Sequence, residues 1–267
     1  MIAEQPFLPL EPKYPDKGFS IKVVGLGGTG SQVARGACLF LGAAGTDSRI
    51  VLLDGDAFEP ANAARMFFSR PGNKAAVLSE DLQPFLAGSR VTLLAAGEFI
   101  TAENMPRWIV PGDVVFLCVD NHATRKLVSD FCAGRGGHSA PQDITLISGG
   151  NDGIETAADG EARRGTYGNV QVYLRRNGED VTPDLCKFHP EIQTPRDHLP
   201  TDKGCSEMMD SVPQLVFANL LVASVMLNTF FLLVCGALAY HEIAFDLAEG
   251  LCRPVSTHKG PSEPYAL

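Results

Sequence analysis

Apolar residues along the chain gather into short continuous runs, each broken by glycine, proline or a carboxylate, as in strands covered on both faces. Residues 21–24, 49–53, 91–95, 114–119 and 144–148 form such runs and predict strands. Between them, 31–41 and 74–85 read as helices, 104–109 as a short helix or turn, and 123 to about 132 as a further helix. Strands alternating with helices predict an α/β protein, with a Rossmann-like, mostly parallel sheet and helices on both faces. Residues 169–174 alternate instead, with Val170, Val172 and Leu174 set against Gln171 and Tyr173, which suits an antiparallel strand appended to the sheet. A last strand is expected over 242–247.

Three stretches lack such periodicity. Residues 1–18 carry Pro6, Pro9, Pro12 and Pro15 and predict an extended segment, either a loose tail or a strap in which Phe7, Leu8 and Leu10 touch a partner surface. Residues 152–168, rich in Gly, Ala, Glu and Arg, read as a mobile surface loop. A crossing punctuated by Pro183, Pro190, Pro195 and Pro200 then runs over about 180–211. The expected organisation is one domain over 19–254, with a loose tail at 255–267.

Residues 215–240 are apolar enough to span a bilayer. Asn219, Ser224, Asn228 and Thr229 interrupt them, which favours one or two buried helices beneath a sheet and no membrane association.

Composition narrows the function. The 267 residues are 45% hydrophobic and 20% charged, which excludes wholesale disorder. A net charge of −9 argues against a nucleic-acid partner, which needs a basic face for phosphates. The pairs Arg163-Arg164 and Arg175-Arg176 read as solvated loop or edge charges. Seven cysteines, an odd number with several in apolar runs, suit a reducing cytoplasm. No CxxC pair is present, so no zinc is expected. The N-terminus has no basic start followed by an apolar block, and no signal peptide is expected.

The chemistry centres on 21–74. The first strand leads into Gly25-Leu26-Gly27-Gly28-Thr29-Gly30, then a helix, then a strand ending on Asp54. This is the order of a nucleotide-binding βαβ unit. Gly25 and Gly27 allow a tight turn and close approach to a phosphate, Gly30 lets the helix pack on the sheet, and Asp54 sits where it can accept from a ribose. Beyond it, Asp56, Asn62 and Arg65 lie in a turn-rich segment, and Lys74 begins a helix. Arg65 can fork two phosphate oxygens and Asn62 can donate to another, so the set resembles a triphosphate cradle. Asp120, with Asn121 beside it, ends the strand at 114–119; its hard oxygens suit magnesium, although it could instead cap the following helix.

These residues resemble the ThiF/MoeB/HesA group of ubiquitin-activating-enzyme-like adenylyltransferases. The resemblance rests on the glycine loop, Asp54-Gly55-Asp56, Asn62-Ala63-Ala64-Arg65, Lys74, and Asp120-Asn121-His122-Ala123-Thr124-Arg125, and covers roughly 19–240. Cys205-Ser206-Glu207 with Pro213-Gln214-Leu215-Val216-Phe217-Ala218-Asn219 looks most like bacterial ThiF proteins of PRTRC plasmid systems. It is also similar to activating enzymes of bacterial ubiquitin-like conjugation operons, some of them anti-phage.

The resemblance implies ATP across Gly25, Gly27, Gly28 and Gly30, with Asp54 on the ribose, Asn62, Arg65 and Lys74 on the phosphates, and magnesium on Asp120. It also implies a ubiquitin-like protein that presents its C-terminal tail, a conjugating enzyme and a homodimer. Cys205, with Cys186 as second choice, corresponds to a thioester cysteine, and Lys203 nearby would lower its pKa. Met66 stands where the family usually has Gln. No arginine precedes the glycine loop for use across a dimer, a place that Lys13 or Lys17 would have to take. Three other readings use part of this evidence: adenylation of a small molecule, peptide or tRNA; an NAD-dependent oxidoreductase, which the glycine loop and Asp54 alone permit; and a silent scaffold.

Overall fold

The computed structural model describes residues 10–63, 66–137, 139–156, 162–202 and 214–256. In the first half, strands β1 (Ser20–Val24), β2 (Ser48–Leu53), β3 (Ala57–Phe58), β4 (Gly72–Asn73), β5 (Val91–Ala96) and β6 (Val114–Leu117) alternate with helices. These are α1 (Gly30–Ala44), α2 (Lys74–Leu82), α3 (Met105–Trp108) and α4 (His122–Cys132). The second half adds β7 (Ile144–Asn151), β8 (Ile154–Thr156), β9 (Ala162–Arg164), β10 (Tyr167–Arg176) and β11 (Glu179–Asp180). Helices α5 (Pro190–Gln193) and α6 (Val216–Val234) follow, then β12 (Glu242–Asp246) and β13 (Leu251–Val255).

The main sheet runs β13-β12-β10-β7-β6-β1-β2-β5, with β11 paired to β10. The run β7-β6-β1-β2-β5 is parallel, whereas β10, β12 and β13 are added antiparallel. The strand order therefore reverses between β1 and β6, and the ends of these two strands flank a crevice.

Period-two alternation sends each strand into two cores. Ile21, Val23, Ile50, Leu52, Phe116 and Ile147 meet α1, α2 and α6 on one face. Val24, Val51, Leu53, Val115, Leu117 and Leu146 meet α3, α4 and the segment of Cys186 and Ile192 on the other. Both faces being covered explains why these strands read as continuous apolar runs. One polar pair sits within this packing: Lys22 Nζ donates to Asp113 Oδ1 at 3.0 Å, with both side chains nearly inaccessible.

The apolar stretch forms one helix, α6, and is the one described helix long and apolar enough by length and composition to cross a membrane. It packs on the sheet and on α1; Phe230 makes edge-on contacts with Phe19, Phe40 and Phe116. The described part of the N-terminal segment straps its own chain. Lys13 N–H donates to Val234 O at 2.9 Å, and the Tyr14 ring lies against Phe19 and Phe40.

Several expectations are corrected. The β6 strand stops at Leu117: Cys118 N–H makes the last ladder bond, to Val24 O at 2.8 Å, and beyond it Val119 O accepts from Arg125 instead. Helix α2 ends at Leu82 and continues as a 3-10 turn, Gln83–Leu86, since Pro84 offers no N–H to an α-helical ladder. The loop expected at 152–168 contains the antiparallel pair β8–β9 and the start of β10. The C-terminal stretch forms two strands where one was expected, and the second includes Val255, placed by sequence in the tail. Arg175 and Arg176 are structural: Arg175 pairs with Asp180, while Arg176 donates to Ile144 O at 2.9 Å and to Thr145 Oγ1 at 2.9 Å.

Candidate nucleotide site

The glycine loop leaves β1 and enters α1 at the strand-order reversal. Gly25 adopts φ +82° and its N–H donates to Leu53 O at 2.9 Å. A Cβ at Gly30 would lie 1.8 Å from Gly25 O, so the loop folds back onto the start of α1 in a way no larger residue permits. Gly28 is buried in the turn, and beside Gly27 a Cβ would meet only Met66 Cε, at 3.7 Å. The N–H groups of Gly27, Gly28, Thr29 and Gly30 make no hydrogen bond to any described residue. Four successive free donors at a helix N-terminus form a site for an anion.

Asp54 holds this loop in shape. Its Oδ2 accepts Leu26 N–H at 2.6 Å and its Oδ1 accepts Asp56 N–H at 2.8 Å, and the side chain is 7% exposed. Burial pushes the carboxyl upward, against the pull of Lys74 and of these two N–H groups. Sequence placed Asp54 at a ribose; the structure gives it this anchoring work as well, since both oxygens are already engaged.

Pairing of β3 with β4 brings Lys74 back beside Asp56, 18 residues earlier. Lys74 Nζ donates to Asp56 Oδ2 at 3.0 Å, so the anion facing this lysine in the structure is a carboxylate of its own chain. Asp56 is exposed on its other side. Asn73, which sequence reasoning missed, knits the corner: its Nδ2 donates to Asp54 O at 2.9 Å and Asp56 O at 3.2 Å. Its Oδ1 accepts Ala76 N–H at 3.1 Å and caps α2. An asparagine directly before a helical run was the signal available for that cap. Asn62 ends the 3-10 turn Pro60–Asn62, half-buried, and Arg65 lies outside the described residues.

Asp120 follows β6 on the far side of the crevice and is exposed. It does not cap α4. Asn121 does, its Oδ1 accepting Thr124 N–H at 2.7 Å, so that oxygen is committed to the helix. The first N–H groups of α4, on His122 and Ala123, are taken by Asp197 of the crossing at 2.7 and 2.8 Å. Asp197, which no local motif announces, thereby ties the crossing beside Asp120.

Beneath lies Arg125, 7% exposed, donating to Ser148 Oγ at 2.6 Å, Val119 O at 2.7 Å and Gly149 O at 2.8 Å. Burial lowers its pKa, while the carboxylates of Asp120 and Asp197 oppose that shift. Among the described residues no three His, Cys, Asp or Glu side chains are grouped to hold a metal. An exposed carboxylate beside a row of free N–H donors is compatible with magnesium on a bound phosphate, since that ion keeps most of its waters and takes one or two carboxylates plus phosphate oxygens.

The two cysteine assignments separate. Cys205, with Lys203, lies outside the described residues. Cys186 is 3% exposed, and burial first, then the charges of Asp130 and Asp184, push its thiol upward, which opposes a nucleophile's role. The six described cysteines are unpaired, and burial pushes Cys38, Cys118 and Cys132 up to about 12.

The family model described as ThiF family matches residues 17–237. Among solved structures, E. coli MccB with ATP superposes with a TM-score of 0.62 at 14% identity, over 94% of this chain and 67% of that one. E. coli MccB with AMPCPP and selenomethionine MccA gives 0.59 at 15% identity, over 94% and 66%. Selenomethionine PaaA gives 0.61 at 14% identity, over 92% and 66%. The chain thus spans about two thirds of the length of these proteins, and at such identities the likeness is one of fold. No curated protein matches by sequence. With a family match over most of its length, the chain belongs to the ThiF family and has its Rossmann-like fold.

Proposed function

We propose that the protein is an ATP- and magnesium-dependent adenylyltransferase that activates the C-terminal carboxylate of a ubiquitin-like protein in a bacterial conjugation system, with anti-phage defence as one setting. The observation that carries nucleotide use is the row of free N–H groups at Gly27, Gly28, Thr29 and Gly30 at the strand-order reversal. Four donors in series suit phosphate oxygens. A lysine and an exposed carboxylate on either side suit a triphosphate with its metal better than a dinucleotide. MccB, solved with ATP, supports that choice by fold. The ubiquitin-like substrate is supported by the sequence resemblance around Cys205 and 213–219.

In this reading the loop N–H groups, Asn62, Arg65 and Lys74 hold the phosphates, Asp54 accepts from the ribose, and Asn121 borders the nucleotide. Lys74 exchanges Asp56 for a phosphate oxygen. Magnesium, held by Asp120, would neutralise phosphate charge. A carboxylate oxygen of the substrate tail attacks the α-phosphorus, the bond to the β-phosphate bridge breaks, and pyrophosphate leaves an acyl-adenylate. No proton moves in this step, so fixed donors and positioning supply the catalysis. Where a thioester follows, the Cys205 thiolate attacks the acyl carbon and AMP departs; a conjugating enzyme would then take the acyl group. A cytoplasmic homodimer is part of the same proposal.

Thermal unfolding of the full chain with ATP–magnesium, against NAD and NADP at equal concentration, tests it, because a ligand of the native state raises apparent stability. The expected result is a shift with ATP–magnesium that Asp120→Ala abolishes, together with substrate-dependent pyrophosphate release. A shift with NAD alone would return the βαβ unit to the oxidoreductase reading.

A further inference from the structure

One polar side chain of α6 reaches the glycine loop. Asn219, in the first turn of that helix, is 1% exposed, and its Oδ1 accepts the Thr29 hydroxyl at 3.4 Å. Its Nδ2 is buried and makes no hydrogen bond among the described residues. Its buried neighbours along α6 are apolar: Ala218, Val222, Ala223 and Met226. An unmatched amide in such a place is costly, and packing alone would be served by an apolar residue. Thr29 occupies the N-cap position of α1 yet makes no side-chain cap bond, so its hydroxyl is given to Asn219.

We propose that Asn219 is a positioning residue of the phosphate loop that sets the direction of the Thr29 hydroxyl proton. This rests on the nucleotide reading of the same loop and deepens it. In the structure that proton points at Asn219 Oδ1. Turning the carboxamide over makes Nδ2 the donor to Thr29 Oγ1 and leaves Oδ1 as the atom without a partner, so the amide makes one hydrogen bond in either orientation and the bound anion decides between them. The hydroxyl proton is then free for an anionic oxygen beside the loop N–H groups. No charge enters or leaves the interior. A phosphate therefore gains a fifth donor through one amide rotation, and α6 becomes part of the nucleotide site.

ATP–magnesium affinity, measured by titration calorimetry on the full chain, tests this with Asn219→Ala, Thr29→Val, the double variant and Thr29→Ser. Thr29→Val is expected to weaken binding about tenfold, the loss of one hydrogen bond to a charged acceptor, and Asn219→Ala, which keeps the hydroxyl but removes the donor that orients its proton, to weaken it by a smaller factor. The double variant should bind no worse than Thr29→Val, and Thr29→Ser, which keeps the hydroxyl, should bind more tightly than Thr29→Val. Losses that multiply in the double variant overturn the coupling, and so does unchanged affinity in Asn219→Ala. If Asn219→Ala does not fold, Thr29→Val against Thr29→Ser decides, and equal affinities sink the proposal. Absence of ATP binding by the parent chain removes the nucleotide reading and this inference with it; binding that ignores Asn219 removes the inference alone.

Discussion

Replacing Asp54 by Asn separates the two tasks this residue can perform. The carboxylate accepts Leu26 N–H at 2.6 Å and Asp56 N–H at 2.8 Å from a position 7% exposed. A carboxamide fills the same volume with one acceptor oxygen, so one of these N–H groups must face an NH2. The bond lost there, to a charged acceptor, is worth about 1.5–3 kcal/mol, and the surviving one drops to a neutral bond about 1 kcal/mol weaker. The expected loss is therefore about 3 kcal/mol in a protein whose total is on the order of 5–15 kcal/mol. Urea unfolding without nucleotide reads it directly. If the loop must be rebuilt upon binding, ATP affinity falls by on the order of 100-fold for the same free energy. A variant as stable as the parent, within about 0.5 kcal/mol, but defective in ATP binding would refute the anchoring argument and leave the ribose as Asp54's sole business.

Three further outcomes follow from named contacts. Asp113→Ala strands the buried Lys22 ammonium and removes the Val110 N–H partner, an expected cost of about 3–5 kcal/mol in urea unfolding, whereas the paired change Lys22→Met with Asp113→Leu should cost only about 1 kcal/mol, for the Val110 bond; equal losses would dismiss the pair as the cause. Gly30→Ala drives a Cβ to 1.8 Å from Gly25 O, so ATP binding should vanish and the melting temperature should fall; retained affinity would mean that the loop tolerates a different path. His189 is held between Glu242 and Glu191, and its hydrogen bond to Glu242, supported by Glu191 and opposed by burial, raises its pKa above the ordinary 6.5. A raised folded pKa means that this stabilisation is complete below about pH 6.5 and is lost as pH rises through the folded value. Melting temperature should thus fall from pH 6 to 8 more steeply in the parent than in His189→Gln, and parallel profiles would exclude the histidine.

The α/β alternation and the glycine loop were legible because they are local. Strands buried on both faces need unbroken apolar runs, and a tight turn against a helix start needs glycine; the sequence offered Asp120 as a possible cap of α4, and the structure gives that place to its neighbour Asn121. Partners distant in the chain left no such trace. Lys74 read as a cation awaiting phosphate, yet the β3–β4 pairing sets it on Asp56. Asp197 reaches the start of α4 from the crossing, and Asn219, which in sequence merely interrupts an apolar run, lies on Thr29 across 190 residues. The apolar stretch at 215–240 was ambiguous between a bilayer and a core, because hydropathy reports only that a helix avoids water. Sequence by itself determined the strands of the parallel sheet, most of the helices beside them, and that a glycine loop follows the first strand, since these rest on backbone sterics and side-chain period. The tertiary structure decided which acid holds the loop, which caps a helix and which stands open to a ligand, because these depend on distances between residues that only the packed sheet brings together.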